Sequence, residues 1–194
     1  MHARRLLIAV PIAAMLLASH AGAQALPDLR AARAIGGVER WPGREPGEIV
    51  SVGYVIERQD DEGFFAGGGG FVVRAGGREV RRRNALFAIP PEVARRFLAA
   101  LSAVPLAPAA AGTEPLPLDS AAVALTIEVD GAEVEFLLAA GAAEMRPWQV
   151  TVRGAGPERR MVSASDAVWR AFRALHPHLK RNVLESLRRG EDGG

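Results

Sequence analysis

The dipeptide Asp130-Gly131 stands between two runs of alternating apolar and polar residues, and it constrains this chain more than any other feature. A two-residue connection of this kind predicts a hairpin over Ala121–Leu138, turning through a type I′ turn with φ > 0 at both central positions. The short loop also sets the register. Val129 faces Ala132, Ile127 faces Val134, Leu125 faces Phe136 and Val123 faces Leu138, all on one side. Ala124, Thr126 and Glu128 share the other side with Leu137, Glu135 and Glu133. Each large apolar side chain contributes roughly 1.5–3 kcal/mol when fully buried. Ordering each residue's backbone costs about 1–2 kcal/mol. The hairpin therefore needs a further layer over its apolar side. Its polar side carries a defect, because Glu128 and Glu133 lie opposite each other and repel.

The chain opens as an export signal does. Arg4 and Arg5 precede the apolar run Leu6–Ala18, and Ala21-Gly22-Ala23 forms a small-residue cleavage site, with Ala23-Gln24-Ala25 as the alternative. The run is shorter than the roughly 20 residues of a membrane span, and Pro11 interrupts it. Residues 1–23 are thus expected to be a cleaved signal peptide, leaving no transmembrane span in a periplasmic or secreted protein. Removing Arg4 and Arg5 with it takes the formal net charge from +2 to zero. No overall positive field then steers a nucleic acid toward the protein. The chain contains no cysteine, which excludes disulfides and lipid attachment at cysteine. Its stability rests on a packed core.

Residues 24–48 read as an irregular N-terminal arm, broken at Gly36-Gly37, Pro42-Gly43 and Pro46-Gly47, with at most a short helical turn near Leu29–Ile35. Trp41 is expected to pin it to the body. A single α+β domain is expected over residues 49–190. It begins with a strand at Ile49–Arg58, where Val50, Val52, Tyr54 and Ile56 alternate with smaller or polar residues. Asp60–Gly63 is a polar turn. A second hairpin spans Phe71–Arg83 and turns at Gly76-Gly77, with Arg74 opposite Glu79 and Val73 opposite Val80. Pro91 and Glu92 suit the first turn of a helix. Val93, Phe97, Leu101 and Val104 then mark its apolar face, and Pro105 stops it. Residues 105–119, rich in alanine and proline, form an extended connector. Trp148–Arg153 and Arg159–Ser163 form a further strand pair, with Val150 near Met161 and Arg153 near Glu158. Ser163 with Asp166 fits a capping box, and Ser165 competes as N-cap. Amphipathic helices follow through Leu175 and over His178–Arg189, and residues 191–194 are a frayed tail. The order of hairpin, strand, cap and helix occurs in both halves.

The chemistry-bearing motifs are few. The glycine run Gly67–Gly70 leads into a strand and lacks the Gly-Lys-Ser/Thr that opens a phosphate-binding helix. Asp60–Glu62 lack the spaced oxygen ligands of a calcium loop. Beyond the signal, His176 and His178 are the only histidines, and no spacing suggests a third metal ligand. No GxSxG elbow nominates a nucleophilic serine. Neither a cofactor nor a metal is implied. Arg81-Arg82-Arg83 alternate faces on a strand and suit the protection of a sheet edge. Bare backbone at Gly68 and Gly69, beside Phe64, Phe65 and Phe71, lets a ligand or partner chain approach closely.

The expected fold is α+β: antiparallel β-hairpins forming a sheet with amphipathic helices packed on one face. The expected function is a non-catalytic envelope binding or interaction module. Its partner would be an envelope protein or small ligand, taken at Trp41, Phe64, Phe65, Gly68, Gly69 and Phe71. The alternative is a hydrolase of an envelope polymer using carboxylates. A third reading is anionic-lipid binding through the arginine segments. The acidic hairpin adds a strand-order expectation. Arg78–Arg83 or Arg153–Arg160 should neighbour it and set guanidinium groups against Glu128, Glu133 or Glu135.

Overall fold

The computed structural model describes residues 26–43, 45–59, 65–76, 78–142, 145–154, 156–175 and 177–178, with the backbone alone at 71, 73, 75 and 78–88. The expected signal at 1–23, the turn Asp60–Gly63, Phe64, His176, the last helix beyond His178 and the tail 191–194 lie outside these residues.

Among the described residues, nine strands form one antiparallel sheet. They are β1 (Ala34–Pro42), β2 (Ile49–Arg58), β3 (Phe65–Ala75), β4 (Arg78–Ile89), β5 (Ala107–Pro108), β6 (Ala121–Val129), β7 (Ala132–Ala139), β8 (Trp148–Gly154) and β9 (Gly156–Ser163). Their order is β4-β3-β2-β1-β6-β7-β8-β9-β5. Helix α1 (Pro91–Ser102) follows β4, and helix α2 (residues 167–175) follows β9. The chain thus runs twice through a four-stranded meander and a helix. The two meanders join where β1 pairs antiparallel with β6. The fold is α+β in character and mostly antiparallel sheet.

The β6–β7 register matches the sequence expectation at every pair from Val123↔Leu138 to Val129↔Ala132, including Glu128↔Glu133. The turn differs. Gly131 takes φ 71°, whereas Asp130 is not among the residues of positive φ, so the turn is not type I′. The strand Ile49–Arg58 has the expected limits. The second hairpin keeps Arg74↔Glu79 and Val73↔Val80 and extends further, to Phe65↔Ile89. The glycine run therefore lies within β3 rather than ahead of a strand. Ser165 caps α2: its Oγ accepts from Ala167 N at 3.0 Å.

The expected N-terminal arm also requires correction. The arm at 24–48 is not irregular over Leu29–Ala31 and Ala34–Pro42. Leu29–Ala31 form the short helical turn, a 3-10 turn whose N-cap Asp28 accepts from Arg30 N. Beyond it, Ala34–Pro42 is a strand at the centre of the sheet, paired with β2 on one side and β6 on the other. Glycine weakens a strand because it has the most conformational freedom to lose and nothing to pack. Two ladders hold β1, and that offsets the cost. Gly37 is also required sterically, because a Cβ there would overlap the Tyr54 ring.

Alternation divides the sheet into two faces. One carries Ile35, Val52, Ile56, Leu125, Ile127, Phe136, Trp148 and Val150, all in a single hydrophobic cluster. Ala94, Phe97, Leu98 and Leu101 of α1 belong to the same cluster, as do Val168, Phe172 and Leu175 of α2. A second, small cluster lies on the opposite face, where Leu116 of the connector packs against Ala121, Ala124 and Leu137. The connector starts at the β9 edge, where Ala107 pairs with Val162 and Pro108 with Met161. It then crosses this outer face, held by Leu116 N donating to Gln149 Oε1 at 2.8 Å. Arg40 fastens its far end, Nη1 donating to Leu118 O and Ala121 O at 2.9 Å each.

Gly37 and Tyr54 make this packing testable. Gly37→Ala forces the buried ring aside and should cost about 1–3 kcal/mol as overpacking. In Gly36→Ala or Gly53→Ala the new methyl meets only ordinary contacts, 3.8 Å and beyond, so melting temperature should hold or rise. Equal losses at all three positions would contradict the packing. Tyr54 is the only tyrosine, so ultraviolet absorbance titrates it alone. Burial first, and the Glu39 carboxylate second, push its phenol well above the ordinary value. The unfolded phenol ionises at about pH 10. Stability from this group is therefore intact below about pH 10 and lost as pH rises beyond it. Phenolate should appear only with unfolding, and Tyr54→Phe should remove this alkaline loss.

Candidate functional site

The outer face is where the two halves differ. The connector covers part of it over the second meander. Over the first, the register aligns small residues across four strands. Thr126 of β6 stands opposite Gly36 of β1, which stands opposite Val55 of β2, which stands opposite Gly68 of β3. The neighbouring row is Ala124, Val38, Gly53 and Gly70. Glycine and valine alternate diagonally, so the valines stand as low ridges on a floor of bare peptide. The result is an open trough of about 610 Å³, with Leu118 from the end of the connector along its rim. Val55 and Leu118 are each 49% exposed, among the most exposed large apolar residues described. Among the described residues, no carboxylate, histidine, lysine or arginine lines this trough. Its polar offering is the Thr126 hydroxyl and the peptide groups of its floor.

The residues singled out from sequence do not converge. Gly68 and Gly69 line the trough. Phe65 does not: it is fully buried, with the Arg58 guanidinium 5.3 Å from its ring centroid. The expectation of an exposed aromatic there fails, because β3 extends through Phe65 and turns it into the core. Trp41 ends β1 half-buried and packs against the main cluster, away from the outer face. Phe71 lies in β3 opposite Val52. Phe64 is outside the described residues. Sequence reasoning missed Gly36, Gly53, Val55 and Thr126. Gly53 and Thr126 were visible as outward positions of expected strands. Their alignment with Gly36 required β1 to be a strand.

The acidic hairpin face resolves as a charge network. Strand β8 neighbours β7, as the strand-order expectation required. Arg153 Nη1 donates to Glu133 Oε1 and Glu135 Oε2, both at 3.3 Å, and its Nε donates to Glu158 Oε2 at 3.2 Å. Arg160 Nε adds a bond to Glu158 Oε1 at 2.8 Å. The Arg160 hydrogen bond, with Arg153 behind it, holds the Glu158 carboxyl below its ordinary range. Partial burial pulls the Arg153 guanidinium down, but the Glu135 and Glu158 carboxylates outweigh it and hold it above its usual value. Arg33 pairs with Asp130 at the turn. A paired-carboxylate hydrolase needs a gap for substrate between its two acids. Here a guanidinium occupies the gap between Glu133 and Glu135.

Two other concavities are smaller in chemical content. A groove of about 640 Å³ runs between Leu26–Arg30 and the end of α1, and its Asp28 and Arg30 are paired with each other at 2.8 Å. A hollow of about 340 Å³ at the β8–β9 turn is lined by Arg153, Arg159 and Asp130. Each has a single carboxylate. Among the described residues no three His, Asp or Glu side chains converge as a metal site. No helix of the described residues is long and apolar enough to cross a membrane. Comparison with protein-family models, with curated proteins and with solved structures finds no match to this chain.

The Arg153 network yields a double-mutant test. Arg153→Gln leaves Glu128, Glu133 and Glu135 together on one face and should lower stability by about 1 kcal/mol or less, because Arg153 and Glu133 are half-exposed, although Glu135 is mostly buried. The loss should shrink at high salt. It should also shrink in a Glu133→Gln background, measured by urea denaturation. An identical loss in both backgrounds would mean that the arginine does not act on the acidic ladder.

Proposed function

We propose that this chain is a non-catalytic binding module that takes an apolar partner surface or small ligand on the open outer face of its first meander. The observation that carries this reading is the contrast between the two halves. Over the second meander the chain's own connector, seated by Leu116, covers the outer face. Over the first, an apolar trough of about 610 Å³ with exposed Val55 and Leu118 is left uncovered by the described residues. A flat apolar group laid on this peptide floor would remove its own face and the flanks of Val38, Val55 and Leu118 from water, worth about 25 cal/mol per Å² before the costs of association. Glycine permits the approach, because nothing projects from the backbone between the valines. In this reading both helices cover the opposite face, so binding need not disturb the core. Residues 1–23 act as an export signal, which puts the module in the cell envelope and its partner there too.

The absence of cysteine makes the test specific. Val55→Cys supplies a single thiol at the trough for a photo-crosslinker, used in the native compartment. The double variant Gly36→Ala/Gly53→Ala raises the floor without a close contact. The expected result is a discrete crosslinked species that is lost in the double variant while its melting temperature is retained. Crosslinking that persists unchanged on the filled trough would refute this assignment.

A further inference from the structure

The sheet ends in β4 on one side and in β5 on the other, and the chain treats these edges differently. Unpaired edges expose rows of N–H and C=O groups that any extended chain can continue. At one edge, Ala107–Pro108 pairs with β9, and Ala109 N donates to Arg160 O at 3.0 Å. Pro108 has no N–H and interrupts further addition there. At the other edge lies β4, Arg78–Ile89, whose 12 residues make it the longest strand of the sheet. Its strand partner among the described residues is β3 alone. Proline arrives only after it, at Pro90.

The composition of β4 is polarised along its length. Opposite Gly70, between Gly69↔Ala85 and Phe71↔Arg82, β4 carries the two residues Arg83 and Asn84, a bulge. The bulge divides the edge into two regular stretches. Arg78–Arg82 holds three arginines and one glutamate, and Arg83 in the bulge adds another arginine. Ala85–Ile89 reads Ala-Leu-Phe-Ala-Ile and has no charge. A bulge and a charge are both devices that discourage edge pairing. One charge suffices for that purpose. A block of four arginines goes further, because it discriminates between partners by sign. Cross-strand pairs of opposite charge are favourable and like pairs are not. The uncharged stretch beyond it carries no such guard.

We infer that the β4 edge is a strand-addition site for an acidic extended segment of a partner protein. The segment runs antiparallel to β4. It sets carboxylates across from Arg78–Arg83 and apolar residues across from Ala85–Ile89. Backbone hydrogen bonds hold it, and the arginines select it. This surface is separate from the trough, so either assignment can fail without the other.

The test uses the mature chain and a fluorescein-labelled synthetic peptide whose first half alternates valine and threonine and whose second half alternates glutamate and valine. Two control peptides replace each glutamate by lysine, or methylate alternate backbone nitrogens. The acidic peptide should bind at least about tenfold more tightly than either control. Its affinity should fall with added salt, and amide exchange should slow across residues 78–89. Arg81→Glu/Arg82→Glu should invert the preference toward the lysine peptide. If that variant does not fold, Arg81→Gln/Arg82→Gln should abolish the preference instead. Binding that tolerates N-methylation, slowed exchange confined to other strands, or no binding at all would each overturn the proposal. So would concentration-dependent dimerisation that slows the same β4 amides, since the occupant would then be a second copy.

Discussion

The antiparallel ladder between β1 and β6 is the interaction on which the molecule depends. It joins two four-stranded meanders that would otherwise each have an extra open edge. It also explains how a segment with adjacent glycines at its centre becomes a strand. Ile35 on β1 faces Ile127 on β6 and Ile56 on β2. All three are fully buried. The glycines that follow on β1 would destabilise an isolated strand, but here hydrogen bonds on both sides fix the backbone. Gly37 then accommodates the Tyr54 ring on the buried face, while Gly36 leaves the outer face bare. One dipeptide thus serves core packing with one residue and the candidate site with the other.

The connector follows from the same constraint. To place β6 beside β1, the chain must return from α1 at one side of the sheet to its centre. It does so over the outer face, and three devices hold it: the short pairing of β5 with β9, Gln149 bridging Glu114 and Leu116, and Arg40 bonding Leu118 O and Ala121 O. This route leaves the two outer half-faces unequal. The first remains an apolar trough, and the end of the connector supplies its rim. The acidic ladder is settled differently: Arg153 from the adjacent strand bonds Glu133 and Glu135, and so tempers the pair Glu128↔Glu133 from one side. The first feature is an exposed apolar surface among the described residues, and the second is a set of charges in which Glu133 and Glu135 share one guanidinium.

Local order was legible wherever a short loop and clean alternation coincided. The Ala121–Leu138 register, the strand Ile49–Arg58, the pair Val150↔Met161 and the helix beginning at Pro91 all needed only neighbouring residues to define them. The acidic defect at Glu128 and Glu133 even pointed to the strand that neighbours β7, because like charges on one face require a basic strand beside them. The candidate site was legible only in part. Gly68 and Gly69 were singled out for lack of a side chain, and they do line the trough. Phe65 was grouped with them because it is adjacent in sequence, but its burial depends on β3 beginning there and on the core beneath.

Chain-local chemistry therefore set the hairpins, their registers, the start of α1 and the charge pattern, since turn geometry and side-chain alternation act over a few residues. Tertiary structure decided that Ala34–Pro42 is a central strand, which half of the outer face is covered, and which glycines come together. Those outcomes rest on contacts between segments some 90 positions apart, Gly36 with Thr126 among them. A glycine has no side chain to announce its face, so only its partners across the sheet reveal it.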